Sequence, residues 1–259
     1  MKETWEKRIS RAERLARDGG EAASLLHFYA GLLGAQKQIF ESLAARHLSG
    51  RLELDLLLLR DTVPNLLRTV MTLGPHVLAD AAEQLLVSGG GTLDGILLTY
   101  WRSPSDDQFF AKAVLQPYAR WLAETGTAPL GRQLERAQNR CPFCQGKPQL
   151  AVLDSADPQA NGGGRSLLCS TCLRVWPFPR LLCANCGEAN EPRLGYFHSP
   201  SYDHVRIEVC DTCRHYQKGI DRSRLGVSVP LVDEVAAAAL DLWAREHGYT
   251  KIEMNLVGL

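Results

Sequence analysis

The chain has 259 residues with 29 Lys+Arg against 29 Asp+Glu, and its hydrophobic (45%) and charged (22%) fractions are those of an ordinary globular protein. That balance excludes wholesale disorder, a collagen-like repeat and a strongly basic protein that coats nucleic acid. Weakly charged stretches such as residues 84–93 are too short and too Gly-rich to span a bilayer, and no apolar run follows the charged start (Lys2, Glu3, Glu6, Lys7, Arg8), so the expectation is a cytoplasmic protein without secretory signal or membrane insertion.

Taken in chain order, the first 138 residues show helical periodicity and no convincing strand alternation. Trp5, Ile9, Ala12 and Ala16 share one face of a first helix; Leu25, Phe28, Leu32, Leu33, Gln36, Ile39, Phe40 and Leu43 do so over a longer one. Pro64 and Pro75 suit the first turns of further helices, where a missing N–H costs nothing. Ser105-Asp-Asp-Gln108 has the spacing of a capping box ahead of Phe109, Phe110, Val114, Leu115 and Tyr118, and Pro117 inside that run predicts a kink. Gly74, Gly89-Gly-Gly91 and Gly126 mark breaks. The sum is a bundle of about five or six helices, with Trp5, Phe28, Tyr29, Phe40, Phe109 and Phe110 as core aromatics. Near the other end, Asp233-Glu234 opens a last helix through Val235, Leu240, Leu242 and Trp243 that Gly248 stops.

All eight cysteines lie beyond residue 140, in four Cys-x-x-Cys pairs: Cys141/Cys144, Cys169/Cys172, Cys183/Cys186 and Cys210/Cys213. In a reducing compartment such pairs read as metal ligands before they read as disulfides. Each tight turn, or knuckle, aims two thiolates at one ion, and two knuckles complete a tetrahedral site with metal–sulfur bonds of about 2.3 Å for zinc. Eight cysteines therefore predict two metal ions, iron or zinc, because both accept tetrahedral thiolates. Spacing favours sequential over crossed pairing of the knuckles, since Cys141 to Cys169 is 28 residues and Cys183 to Cys210 is 27. Each interval also reads strand, turn, strand: 150–153 then 166–168, and 194–197 then 205–209. The expected architecture is multidomain α+β. It has a helical domain (1–138), then two tandem rubredoxin-like or zinc-ribbon four-cysteine modules (139–179 and 180–259), the second carrying the C-terminal helix. Modules this small bury too little apolar area to fold alone, so metal must supply much of their stability.

No catalytic constellation is visible. There is no phosphate-binding glycine loop, no G-x-S-x-G elbow and no HExxH; Gly162-Gly-Gly164 reads as a hairpin loop, and His198, His204 and His215 as surface or turn residues beside a complete cysteine set. Residues 140–219 hold nine Lys+Arg and seven Asp+Glu, and eight thiolates with two divalent ions turn that balance slightly negative. The basic stripe that phosphate binding needs is absent from the sequence. Expectations are thus no nucleic acid, no small-molecule substrate and no enzyme. Two other readings stay open: a rubredoxin-like electron-transfer protein and a zinc-ribbon nucleic-acid-binding protein.

Cys141-Pro-Phe-Cys144, Leu168-Cys-Ser-Thr-Cys172 with Trp176, Cys183-Ala-Asn-Cys-Gly187 and Glu208-Val-Cys-Asp-Thr-Cys213, with the tail 233–243 and Gly248-Tyr249, resemble the formate dehydrogenase accessory protein family (FdhE). The likeness covers residues 140–250 and extends more loosely to Leu26-His-Phe-Tyr-Ala30 and the run 109–118. One departure is Gln145, where the family's first knuckle usually has glycine. The resemblance implies a cytoplasmic maturation factor that binds the catalytic subunit of a formate dehydrogenase and holds iron in rubredoxin-like four-cysteine sites. For its docking surface the polar and aromatic stretch Cys213-Arg-His-Tyr-Gln-Lys218 is a candidate, with Arg214, Tyr216 and Lys218 as contact residues. The competing reading packs Tyr216 under the C-terminal helix.

Overall fold

The structure, a computed structural model, describes residues 3–88, 90–133, 137–154 and 164–259. It divides into two compact units, Met1–Glu135 and Arg136–Leu259. Among the described residues no helix is long and apolar enough to cross a membrane.

The first unit holds seven helices among its described residues: α1 (Trp5–Asp18), α2 (Ala23–Ala44), α3 (Leu52–Arg60), α4 (Val63–Leu73), α5 (His76–Ser88), α6 (Gly90–Arg102) and α7 (Phe109–Thr125). Trp5, Phe28 and Tyr29 are buried, while Phe40, Phe109 and Phe110 are half-buried. Pro117 lies inside α7, which runs on past it to the left-handed Gly126. A proline donates no N–H, so the carbonyl of Ala113 one turn back loses its helical partner. Gln36 of α2 supplies the replacement, its Nε2 donating to that carbonyl at 2.8 Å in the buried interior. The expected capping box does not form. The cap position is Gln108, without a side-chain bond, and Ser105 instead donates to the carboxylate of Asp107. The helix begins at Phe109, about one turn after the box would start it, so Ser105 Oγ has no first-turn N–H to accept from and donates to a neighbouring carboxylate.

The second unit is a seven-stranded sheet with two helices. Its strands are β1 (Pro148–Leu153), β2 (Arg165–Cys169), β3 (Val175–Pro177), β4 (Leu194–His198), β5 (Val205–Cys210), β6 (His215–Asp221) and β7 (Thr250–Lys251). The order is β3-β2-β1-β6-β5-β4, with β7 also on β6. Hairpins β1–β2 and β4–β5 are the two strand–turn–strand units expected from the sequence. Residues 162 and 163 of the glycine loop between β1 and β2 lie outside the described residues.

The modules do not stand as separate ribbons. Strand β1 pairs in parallel with β6, from Leu150 opposite Lys218 to Leu153 opposite Asp221, and this ladder joins both modules into one sheet. The physical reason is edge and face burial. A ribbon of two or three strands leaves β1 an open edge and cannot bury a face, whereas the joined sheet does both. Helices α8 (Pro230–Ala236) and α9 (Ala238–Glu246) cover that face. Leu150, Val152, Leu168, Val205, Ile207, Val209, Tyr216 and Ile220 pack there against Leu231, Ala237, Leu240 and Ala244. The last helix is thus two helices, opening at Pro230 rather than Asp233. Asp233 accepts the Val229 N–H at 2.7 Å and faces His204 Nε2 at 2.8 Å.

Of the three candidate contact residues after the fourth knuckle, Arg214 is exposed, whereas the other two are interior. Tyr216 and Lys218 are both fully buried under α8 and α9. The Tyr216 hydroxyl donates to Asp241 at 2.9 Å, and Lys218 Nζ donates to Asp241 and to the Glu234 carbonyl. Lys251 Nζ completes the group on Glu234 and Asp241, and Gln149 Nε2 donates to Glu234 at 2.6 Å. Two buried lysines are therefore matched by two buried carboxylates drawn from β6, β7, α8 and α9. Burial pushes the Lys218 ammonium below its ordinary range; burial pushes Asp241 up, but the two ammonium groups beside it hold it low. On the opposite face of the sheet Arg165 of β2 reaches Glu208 of β5 at 2.7 Å, with Arg206 and Gln217 on the same carboxylate at 2.6 and 2.9 Å.

Removing one member of the matched group leaves a buried charge without its partner, which costs about 3–5 kcal/mol. Lys218→Ala is therefore expected to destabilise the second unit by about that amount, read as loss of hydrogen-exchange protection along β5 and β6 at saturating metal. A loss below about 1 kcal/mol would place the group among solvent-screened pairs instead.

Candidate metal centres

Each knuckle closes by the same backbone arrangement. The N–H of the residue after the second cysteine donates to the carbonyl of the first cysteine: Gln145 to Cys141 (2.9 Å), Leu173 to Cys169 (3.2 Å), Gly187 to Cys183 (3.1 Å) and Arg214 to Cys210 (2.8 Å). Closing a turn this way puts that residue in the left-handed region. All four have positive φ: 61° at Gln145, 59° at Leu173, 77° at Gly187 and 56° at Arg214. Only Gly187 takes this without steric cost; the other three give up roughly 1–2 kcal/mol each. Gln145, the departure from the family pattern, is thus a strained position and still forms the turn. Backbone N–H groups within two knuckles also point at sulfur, from Thr171 to Cys169 at 3.3 Å and from Asn185 to Cys183 at 3.4 Å.

The sulfurs gather in two sets, Cys141/Cys144/Cys169/Cys172 and Cys183/Cys186/Cys210/Cys213, with all Sγ atoms of a set within 4.8 Å of one another. This is the sequential pairing. Cross-knuckle separations are 3.6 Å (Cys141–Cys172) and 3.4 Å (Cys144–Cys169) in the first set, and 3.8 Å (Cys183–Cys213 and Cys186–Cys210) in the second. A tetrahedron with metal–sulfur bonds of about 2.3 Å has edges of about 3.8 Å. The donor set and its dimensions therefore fit a thiophilic ion such as zinc or iron.

Ionisation supports the fit. Hydrogen bonds from Cys144, Cys169 and Cys172 hold the Cys141 thiol far below its ordinary value. Burial, then the bond to Cys141, pushes Cys169 far up, and bonds to Cys141, Cys144 and Cys169 do the same to Cys172. In the second set burial raises Cys183; burial also raises Cys213, but bonds from Asn185 and the His215 backbone outweigh it and hold that thiol at about 7.

No histidine joins either set among the described residues. His215 Nδ1 lies 2.6 Å from the carbonyl of Cys213, beside the set rather than in it. Two contributors escaped the sequence reading. The left-handed positions were signalled only by their shared offset from each second cysteine. Gly146 was not signalled at all: a Cβ there would lie 2.9 Å from Cys169 Sγ and 2.7 Å from Thr171 Oγ1, so this glycine makes room for the first set.

Residues 181–257 match the family model described as "FdhE, C-terminal domain". The chain is 37% identical over 157 residues to a "Protein FdhE homolog" of Aquifex aeolicus, an alignment covering 60% of this chain and 53% of the relative. It is 28% identical over 153 residues to a homologue from Haemophilus influenzae, covering 58% and 49%. The matched stretch spans about half the length of these curated relatives. The fold is similar to the crystal structure of the FdhE protein from Pseudomonas aeruginosa, with a TM-score of 0.69 at 24% identity, over 98% of this chain and 94% of that one. The resemblance to the FdhE family read from the cysteine motifs is borne out by these comparisons.

Gly146→Ala is expected to weaken metal retention at the first centre by about tenfold or more, equivalent to about 1.4 kcal/mol, and to leave the second unchanged, as read by chelator competition on the two centres. Gln145→Gly is expected to hold metal at least as well as the parent, because relief of the left-handed strain outweighs the added chain freedom by about 0.5 kcal/mol. Equal metal retention in Gly146→Ala and the parent would show that the cradle is not tight.

Proposed function

We propose that this chain is a cytoplasmic accessory factor for a formate dehydrogenase, docking on the catalytic subunit of that enzyme during its assembly. Its C-terminal unit is stiffened by two metal ions, iron or zinc. One is held by Cys141, Cys144, Cys169 and Cys172, the other by Cys183, Cys186, Cys210 and Cys213. The observation that carries the reading is the gathering of eight sulfurs into two sets of four, the second lying inside the stretch that matches the FdhE C-terminal domain.

The chemistry of the donor sets supports a binding role. A metal with four sulfur ligands has no open position for a substrate or an activated water, the arrangement of structural rather than hydrolytic sites. Each ion contributes on the order of 10 kcal/mol to the fold around it. What metal supplies when bound is a fixed backbone. It leaves the side chains beside each knuckle with little freedom to lose when a partner docks. The client is a protein surface, with no nucleic acid and no small-molecule substrate.

Anaerobic purification of the tagged chain from cells expressing a formate dehydrogenase is the test. The expected result is two metal equivalents per chain and co-purification of the large catalytic subunit. Cys141→Ser with Cys144→Ser should remove one equivalent and leave the second centre loaded. A metal-loaded protein that retains nucleic acid in a salt-dependent way, or that shows a reversible one-electron couple and captures no subunit, would overturn the reading in favour of a nucleic-acid-binding ribbon or an electron carrier.

A further inference from the structure

The two sulfur sets share knuckle geometry but not exposure. All four cysteines of the first set are buried, whereas in the second Cys186 is exposed and Cys213 half-buried. The fold explains the difference. The third knuckle leads through exposed Ala189 and Asn190 into β4, the outermost strand of the sheet, and Gly187 next to Cys186 is exposed as well. The first set has Cys169 at the end of β2, a strand paired on both sides, and Gly146 and Thr171 closed against its sulfur.

A metal-bound thiolate keeps nucleophilic character, and its oxidation follows access and thiolate content. The geometry points to a division between the centres: the second is a thiol switch in which a hydroperoxide oxidises Cys186, Cys210 closes a disulfide with it and the metal leaves, while the first keeps its ion. This inference rests on the reading above that the second set holds a metal. The chemistry balances. The Cys186 sulfur attacks one peroxide oxygen, the O–O bond breaks, and with one proton the products are a sulfenic acid and the alcohol of the hydroperoxide, which is water for hydrogen peroxide. The Cys210 sulfur then attacks the sulfenic sulfur, forming S–S and releasing, with a second proton, a second water. Two electrons pass from the sulfur pair to the peroxide, and a dication that has lost two of four ligands is released. Cys210 Sγ already stands 3.8 Å from Cys186 Sγ.

The fourth knuckle would carry the event onward. Its Arg214 guanidinium lies 3.9 Å over the Tyr249 ring and donates to the His247 carbonyl at 2.6 Å. The Tyr249 hydroxyl donates to Asp211 at 2.6 Å, and the Thr250 N–H donates to the Arg214 carbonyl at 2.9 Å. A knuckle freed of metal loses the constraint that holds this clamp on the segment between α9 and β7.

The test uses the full chain loaded with zinc, which has no redox couple of its own, titrated anaerobically with hydrogen peroxide. Zinc release is followed with a chromophoric chelator, cysteines are mapped by alkylation and mass spectrometry, and amide exchange is read at Thr250. The expected result is one equivalent leaving about tenfold or more faster than the other, a disulfide joining Cys186 to Cys210, and faster exchange at Thr250 that dithiothreitol with zinc reverses. Release from both centres at one rate, first oxidation at Cys141, Cys144, Cys169 or Cys172, or a mapped disulfide without Cys186 overturns the inference. A chain that loads fewer than two zinc ions sinks the metal reading and this one with it; two ions leaving together sink only this one.

Discussion

The parallel ladder between β1 and β6 is the constraint on which the C-terminal unit depends. It sets two short hairpins side by side so that their apolar residues form one face, and that face is wide enough for α8 and α9 to cover. The same ladder aligns Lys218 beneath α9, where Asp241 and Glu234 neutralise it and Lys251 together. On the far side it spaces β2 and β5 so that Arg165 spans two intervening strands to Glu208. The Arg165–Glu208 pair needs both modules, whereas the lysine–carboxylate group lies within the second and takes only Gln149 from the first. Each sulfur set draws together the two knuckles of one module, and the ladder joins the two modules into one sheet.

Much of this was legible in the cysteines. Four identical pairs with nearly equal intervals point to the two sulfur sets, and the strands expected at 150–153, 166–168, 194–197 and 205–209 fall on β1, β2, β4 and β5. Those features are local, and local spacing records them. The β1–β6 ladder was not legible, because it joins residues 68 apart and the repeat, read module by module, appears self-sufficient. The same blindness made Lys218 look like a surface residue, while the alternative that packs Tyr216 under the last helix is the one the structure shows. A polar run beside a knuckle is ordinarily solvated, and only the buried carboxylates of α8 and α9, contributed by distant sequence, convert it into interior.

The helical unit gives a parallel lesson on a smaller scale. Pro117 signals a broken hydrogen bond, and sequence alone charges the helix with a kink for it. What sequence does not show is that Gln36, eighty-one residues earlier, presents an amide to the orphaned Ala113 carbonyl. The helix therefore continues as an element, and a glutamine on an otherwise apolar face of α2 acquires a reason to be there. The failed box at Ser105 is the converse case, a motif of the right spacing ahead of a helix that starts one turn later.

The left-to-right order of the sheet has a bearing on synthesis. A chain emerging from the ribosome completes Cys141 to Cys172 early, and with them every ligand of the first set and both strands of its hairpin. Strand β6, which must seal the open edge of β1, arrives only after the second hairpin, and the lysine of β7 and carboxylates of α8 and α9 come later still. All four sulfurs of the first set are thus available on a nascent chain whose hydrophobic face is still bare. On the proposed reading, a metal captured at that stage would act as a placeholder, holding β1 and β2 in register until the partners that shelter them have been made.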